Sequence, residues 1–205
     1  MRFAFPPYVA ALAFLQHGKL VTNVNEDLFL STLRSWLHGM WNMHIRARAG
    51  LPDSGRLMAI FIAERAGAPM RSCDTARAVV DAGLAEDRYA EGQGFWRLTD
   101  GCQLTLIHAE DLVRAERRHA VQLGAGQHRR NLVVQGLARA DLRGRDVRIG
   151  EALLVWHRLR PPCGYLDRVS GKGMAKALGR HAGHCYRVRE GGLIRVGDKV
   201  ILVAR

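Results

Sequence analysis

The C-terminal two thirds of the chain is a succession of short apolar runs separated by glycine and polar turns. Runs at 59–62, 103–107, 132–134, 152–156 and 186–189 have the length and composition of strands. One unit occurs twice. Val147-Arg148-Ile149-Gly150-Glu151 leads into the apolar Ala152-Leu153-Leu154-Val155, and Ile194-Arg195-Val196-Gly197-Asp198 leads into Lys199-Val200-Ile201-Leu202. Each reads as a turn feeding a strand. Two such units do not make a solenoid, but they fit a β-barrel whose strands recur after glycine turns. Helical spacing is confined to four stretches. Over 26–43, Leu28, Phe29, Leu33, Trp36, Leu37 and Met40 recur three and four apart. A short helix over 75–82 has Ser72 or Asp74 to cap it and Gly83 to end it. A third runs over 108–122, with Glu110 and Asp111 suiting the positive end of its dipole, and a fourth over 170–178. The expectation is a mainly β chain with some α, a barrel decorated by a few helices.

The cluster Gly50, Pro52, Asp53, Ser54, Gly55 reads as a linker. It divides an N-terminal extension, residues 1–57 and partly helical, from a domain over 58–205. A chain starting at Met58 would then be self-contained. Residues 1–57 are either an appendage from an over-extended translation start or a helix that packs on the domain or a partner. The first eighteen residues resemble a weak signal peptide, but Pro6 and Pro7 interrupt the apolar run and no A-x-A site follows closely.

With 48% hydrophobic residues the chain is globular rather than disordered. Its surplus of 31 Lys and Arg over 19 Asp and Glu, net +12, favours an anionic partner without choosing among phosphate, nucleic acid and membrane surface. No apolar run of about 20 residues is present, which argues against a spanning helix. The four cysteines, Cys73, Cys102, Cys163 and Cys185, form no C-x-x-C pair, which argues against a structural zinc site. Reduced thiols in the cytoplasm are the simpler expectation. His119, His128, His157, His181 and His184 show no metal-binding spacing and read as surface or capping residues. Cys73, Cys102 and Cys185 read as packing residues.

Candidate chemistry concentrates over 148–173. A strand runs into His157-Arg158-Leu159-Arg160, and Pro161-Pro162 then stiffen the backbone before Cys163-Gly164. Arg158 and Arg160 are near enough in sequence to stabilise a thiolate, the form of cysteine that binds metals and attacks electrophiles. The plain alternative is a buried cysteine at a strand end. Arg129, Arg130 and Asn131 enter an apolar strand and could grip an oxyanion, or could be a solvated basic strand end. The glycine-rich loop at 91–96 lacks the G-K-[ST] ending of a P-loop, and its aromatics could plug a hydrophobic gap.

An ordered set of motifs resembles the MOSC domain, named for the C-terminal domain of molybdenum-cofactor sulfurase. The set is Gly83-Leu84-Ala85-Glu86-Asp87-Arg88-Tyr89, His128-Arg129-Arg130-Asn131-Leu132, Arg148-Ile149-Gly150-Glu151, Pro162-Cys163 and the segment from Glu190 to Asp198. It covers roughly residues 58 to 203. Glu86 departs from the family's G-D-R-Y pattern, where glycine is expected. The resemblance implies a closed β-barrel similar to the pyruvate-kinase barrel domain, with Cys163 as the key cysteine. In molybdenum-dependent relatives that cysteine ligates the metal of the pterin cofactor, and other members are proposed to carry sulfur as a persulfide. Arg129, Arg130 and Asn131 match the family segment that grips the cofactor's phosphate and pterin, with Arg88 and Arg160 as further candidates. Pyridoxal phosphate enters only through the family's association with partner enzymes, and Lys172 is a nominal lysine for it.

Three functions follow, in order of weight. The first is a molybdenum-cofactor (molybdopterin) enzyme reducing small N-hydroxylated substrates with electrons from a donor protein. The second is a sulfur carrier holding a persulfide on Cys163, loaded by a cysteine desulfurase. The third, well behind, is nucleic-acid binding, suggested by charge alone.

Overall fold

The computed structural model describes residues 54–95 and 101–203. The helix expected over 26–43, the signal-like start and Trp96 lie outside them. Among the described residues eleven strands form two sheets. They are β1 (Ser54–Ile62), β2 (Arg71–Cys73), β3 (Thr75–Val79), β4 (Gly83–Leu84), β5 (Leu104–His108), β6 (Leu132–Gln135), β7 (Val147–Ile149), β8 (Ala152–Leu159), β9 (His184–Glu190), β10 (Gly192–Arg195) and β11 (Lys199–Leu202). The helices are α1 (Ala109–His119), α2 (Arg139–Leu142), α3 (Gly164–Ser170) and α4 (Met174–Leu178).

Seven strands in the order β11-β7-β8-β9-β5-β6-β1 close into a barrel through β1–β11 pairing, and β2 extends the far end of β1. The β5–β6 pair is parallel, which suits their setting. Both strands are buried on both faces except at Gln135 and are mostly apolar, with Thr105 and His108 the buried polar residues of β5. Leu104, Leu106, Leu132, Val134, Leu154, Val188 and Val200 fill the barrel. On the outer face, Phe61, Ile107 and Val133 pack under Leu112 of α1, Leu166 of α3 and Met174 and Leu178 of α4. A small sheet, β10-β3-β4, completes the fold. The two repeated turns lie together: Gly150 and Gly197 both have positive φ, 52° and 95°, and a Cβ on Gly150 would stand 2.5 Å from the Asp198 carboxylate.

Three expectations are corrected. The helix expected over 75–82 is strand β3 and a turn, because Ala76 and Ala78 face inward at a period of two against β10. Of the helix expected over 170–178 only Met174–Leu178 is helical; Ser170 ends the preceding helix α3, and Gly171 and Gly173 at φ 110° and 95° separate the two. The first strand begins at Ser54, inside the expected linker. Ser54, Gly55 and Arg56 pair with Ile201, Val200 and Lys199, and Leu57 is fully buried. A bulge between Leu57 and Ala59 shifts the alternation, so that Leu57 and Ile60 both face the core.

Candidate functional site

Strand β8 ends where its backbone partners run out. The Arg160 N–H still donates to the Gly183 carbonyl at 2.8 Å, and Pro161 and Pro162, which carry no N–H, stop the ladder. Cys163 follows in extended conformation, φ −144° and ψ 155°, as the residue that opens α3, and its carbonyl accepts the Leu166 N–H at 3.0 Å. Its side chain, half-buried, borders a small cleft on the outside of the barrel. Arg88 from the loop after β4, Arg129 and Arg130 from the loop before β6, and Arg160 line the same cleft. Five of the six candidate residues therefore meet there.

The arginines are held mostly by the backbone. Arg88 donates to Asp87 at 2.9 Å and to the Arg129 carbonyl at 3.3 Å. Asp87 is wholly buried and also accepts the Ala63 and Tyr89 N–H groups at 3.0 and 3.1 Å. Arg129 has φ 62°, a left-handed conformation that a side chain rarely adopts, and its guanidinium donates to the Ala68 carbonyl. Arg130 donates to the Ala182 carbonyl at 2.6 Å, while its own N–H donates to His128 Nδ1 at 2.9 Å.

Charge in the cleft is one-sided. Among the described residues that line it there is no carboxylate; Asp87, behind Arg88, is the nearest counter-ion in the hydrogen-bond network. Burial and then Arg160 push Arg130 down to about 10. Burial and then Arg88 lower Arg129. Both remain charged at neutral pH. Burial pulls Arg160 down too, but Tyr89 and the thiols of Cys185 and Cys102 outweigh it, so its value rises. Arg129 Nη2 and Tyr165 Oη are buried without a hydrogen-bond partner. Burying such groups unmet costs about 1–3 kcal/mol each. The arrangement suits an anionic group gripped by guanidiniums beside an available sulfur.

Residues 96–201 match the model of the MOSC domain, more than half of the 205-residue chain. The chain belongs to the MOSC domain family. Solved structures repeat the barrel. The YUAD protein from Bacillus subtilis is 14% identical, with TM-score 0.61 over 72% of this chain and 94% of that one. YiiM from Geobacillus stearothermophilus is 19% identical, with TM-score 0.55 over 74% and 76%. YiiM from Escherichia coli is 21% identical, with TM-score 0.53 over 73% and 70%. These likenesses establish the fold. No curated protein matches the chain.

Within this MOSC domain some candidates take other places. Asn131 does not line the cleft. Its Oδ1 accepts from the Thr105 N–H and hydroxyl at 3.1 and 2.9 Å, and its Nδ2 donates to the Phe61 carbonyl at 3.1 Å, so it ties β1, β5 and the start of β6 together. Arg158 turns back to the Leu159 carbonyl at 3.0 Å. Lys172 is exposed in the turn between α3 and α4, away from the cleft. His128 and His184 are core residues, 0% and 1% exposed, rather than surface ones. Burial, then Arg130 and Arg129, hold His128 down to about 3, so it is neutral and accepts from the Arg130 backbone. Glu86, where the family pattern has glycine, has φ 62° and ion-pairs with Arg71 at 3.2 Å on the surface.

The cleft also uses aromatics that sequence motifs did not single out for it. Phe95 and Tyr165 stack with ring centroids 4.0 Å apart and planes 16° apart, and Arg168 lies 5.5 and 5.7 Å from the two rings. Phe95, 45% exposed, belongs to the loop whose aromatics could plug a gap. Tyr165, two residues after Cys163, was detectable only by that proximity. Among the described residues no three His, Cys, Asp or Glu side chains form a metal-binding group, and no helix is long and apolar enough to cross a membrane.

Proposed function

We propose that this MOSC protein binds the molybdenum cofactor through the Cys163 thiolate and reduces small N-hydroxylated compounds. The observation that carries the reading is the convergence of one available thiol with four arginines, Arg88, Arg129, Arg130 and Arg160, in a cleft without a lining carboxylate among the described residues. The donor set fits the group. A soft thiolate suits molybdenum, and the guanidiniums with the unmet Arg129 Nη2 and Tyr165 Oη suit a phosphate-bearing pterin. When bound, the group supplies two-electron redox chemistry, by which R–NHOH takes up two electrons and two protons to give R–NH2 and water. The protein's own part is to bind and to exclude water. Arg129 and Arg130 hold the anionic tail, Cys163 presents its sulfur from the rigid Pro161-Pro162 corner, and the Phe95–Tyr165 stack covers one side. Electrons come from an external donor protein. All four cysteines are free thiols, which suits the reducing cytoplasm. Pyridoxal phosphate has no support from the cleft, which Lys172 does not line.

Molybdenum analysis of protein made in a cofactor-producing host tests this. About one metal per chain, as a single thiolate predicts, and its loss in Cys163→Ala are the expected results. Metal-free protein from such a host sinks the reading. A second reading is favoured by the half-buried position of Cys163 at the cleft's edge: a persulfide carrier, loaded by a cysteine desulfurase. Its signature is a mass gain of one sulfur at Cys163 that a reductant removes.

A further inference from the structure

The Cys163 cleft opens onto a surface of one sign. Cys163 leads directly into α3, and α3, α4 and the single turn Gly179–His181 carry the chain away from it. Over residues 163–181 the exposed charged residues are Arg168, Lys172, Lys176 and Arg180, each four positions from the last. Among the described residues none of them pairs with a carboxylate. Arg168 lies over the Phe95 and Tyr165 rings at 5.5 and 5.7 Å, and Arg180 meets His181 at 3.4 Å. Leu112 and Ala115 of α1 share one apolar cluster with Met174, Ala177 and Leu178 of α4. Through that packing α1 adds the exposed Arg117 and Arg118 to the same side.

The acids of these helices are turned to structural use. Asp111 is buried and accepts from Arg114 and Arg139 at 2.7 and 3.0 Å. Glu110 accepts the Gly136 N–H at 3.0 Å, and Glu116 accepts those of Leu123 and Gly124 at 2.7 and 3.1 Å. Asp167 accepts the Ala175 N–H at 2.7 Å. Each carboxylate answers a local donor, so the outward cations stay uncompensated beside a cleft that already holds arginines. The exposed positions between them, Gly164 and Gly171, carry no side chain to hold a partner off. Such a face attracts a negatively charged surface over about a Debye length, which speeds encounter more than it tightens the complex.

We propose that Arg168, Lys172, Lys176 and Arg180, with Arg117 and Arg118 beside them, are the docking face for an acidic one-electron carrier protein that serves the Cys163 cleft. The inference rests on the reductase reading, which calls for an external donor and does not say where it lands. Continuity with the cleft decides the occupant. The face starts at the helix that Cys163 opens, so a carrier seated on it stands next to the thiol, whereas a nucleic acid gains nothing from ending there. Two reduced carriers each give up one electron, and with two protons from solvent R–NHOH becomes R–NH2 and water. The oxidised carriers then leave. A shallow, charge-steered contact permits that, since electron-transfer encounters bury less than about 1,200 Å².

The probe is reduced flavodoxin, a small acidic flavoprotein, titrated into the full chain. Affinity should fall roughly tenfold or more as salt rises from about 0.01 M to about 1 M and the Debye length shrinks from about 30 to about 3 Å. Lys172→Glu combined with Lys176→Glu should weaken binding roughly tenfold. Arg189→Glu combined with Arg195→Glu, at exposed positions of β9 and β10, changes the net charge equally and should leave binding unchanged. In molybdenum-loaded protein the lysine pair variant should lose most flavodoxin-driven turnover of an N-hydroxylated compound. It should keep the turnover driven by reduced methyl viologen, a small donor that needs no docking face. Absence of viologen-driven turnover in the parent protein overturns the reductase reading alone, and the binding titration still judges the face. Salt-insensitive or absent flavodoxin binding, equal weakening by the two paired variants, or tighter binding of a single-stranded RNA oligonucleotide overturns the proposal. So does loss of the viologen rate in the lysine pair variant, which would place those side chains in the site itself.

Discussion

Inside the barrel, Leu57, Leu104, Leu106 and Val200 are wholly enclosed, and Tyr186 directs its hydroxyl to the Leu142 and Arg145 carbonyls at 3.3 Å each. Outside it, Arg88, Arg129 and Arg130 are almost as deeply buried, at 5%, 7% and 5% exposure, yet a guanidinium nitrogen and a phenol oxygen there have no hydrogen-bond partner. Burial has opposite consequences in the two places. In the barrel it removes apolar surface from water, worth about 25 cal/mol per Å². In the cleft it strips water from like charges, and among the described residues Asp87 pairs with Arg88. The interior is matched as it stands, whereas the cleft carries positive charge and unpartnered polar atoms. The difference separates burial that is matched by apolar packing from burial that leaves charge and polar atoms unmet.

The largest expected effect lies on the interior side. Leu57→Ala should cost about 2–5 kcal/mol, as large-to-small changes at enclosed sites do, read by urea denaturation. It also tests the domain boundary. A loss below roughly 1 kcal/mol would mean that the barrel does not need β1 before Met58, and that the unit proposed from residue 58 onward is sufficient. A chain starting at Met58 would lack the three closing pairs with β11 and should not fold.

On the cleft side the sign of the stability effect is the point. Arg129→Met removes a buried charge beside Arg88 but leaves the Ala68 carbonyl without its donor. The two effects oppose, so stability should stay within about 2 kcal/mol of the parent. Affinity for inorganic phosphate should fall roughly tenfold or more, the worth of a charge-assisted hydrogen bond. Calorimetric titration with phosphate, next to denaturation of the same protein, checks both. Unchanged phosphate affinity would put Arg129 with the folding residues and dissolve the contrast.

The same contrast explains what could be read from the sequence. Strands β5 and β6 were legible because they are buried on both faces for most of their length and so are mostly apolar. The repeated turns before β8 and β11 were legible through their glycines. β3 was not, since its partner β10 lies far along the chain and short alternation of alanine with polar residues fits a helix as well. The start of β1 was hidden because the bulge after Leu57 interrupts the alternation and Gly55 looks like a linker. The arginines and Cys163 that line the cleft each sit in a compact motif. Asn131 was grouped with them by its adjacency to two arginines, whereas its side chain bonds the wall of the barrel at Thr105 and Phe61. Phe95 and Tyr165 meet only in three dimensions, so no local spacing announced their stack.

The smallest effect concerns Glu86, on the rim that carries Asp87 and Arg88. Its φ of 62° places a side chain where glycine is at ease, at a strain of about 1–2 kcal/mol. Glycine there loses about 0.5–1 kcal/mol through the greater freedom of the unfolded chain. The Arg71–Glu86 pair at 3.2 Å is well exposed on both sides, and such pairs contribute about 0–1 kcal/mol. Glu86→Gly should therefore stabilise the protein slightly, by about 0.5 kcal/mol, read as a small rise in the denaturation midpoint with an unchanged slope. The turn's purpose is to hold the Asp87 carboxylate on the Ala63 and Tyr89 N–H groups, so phosphate affinity should not change. A stability loss above roughly 1 kcal/mol would show that the surface pair with Arg71 outweighs the strain. The rim of the cleft would then be fastened from outside by charge, as the cleft itself is from within.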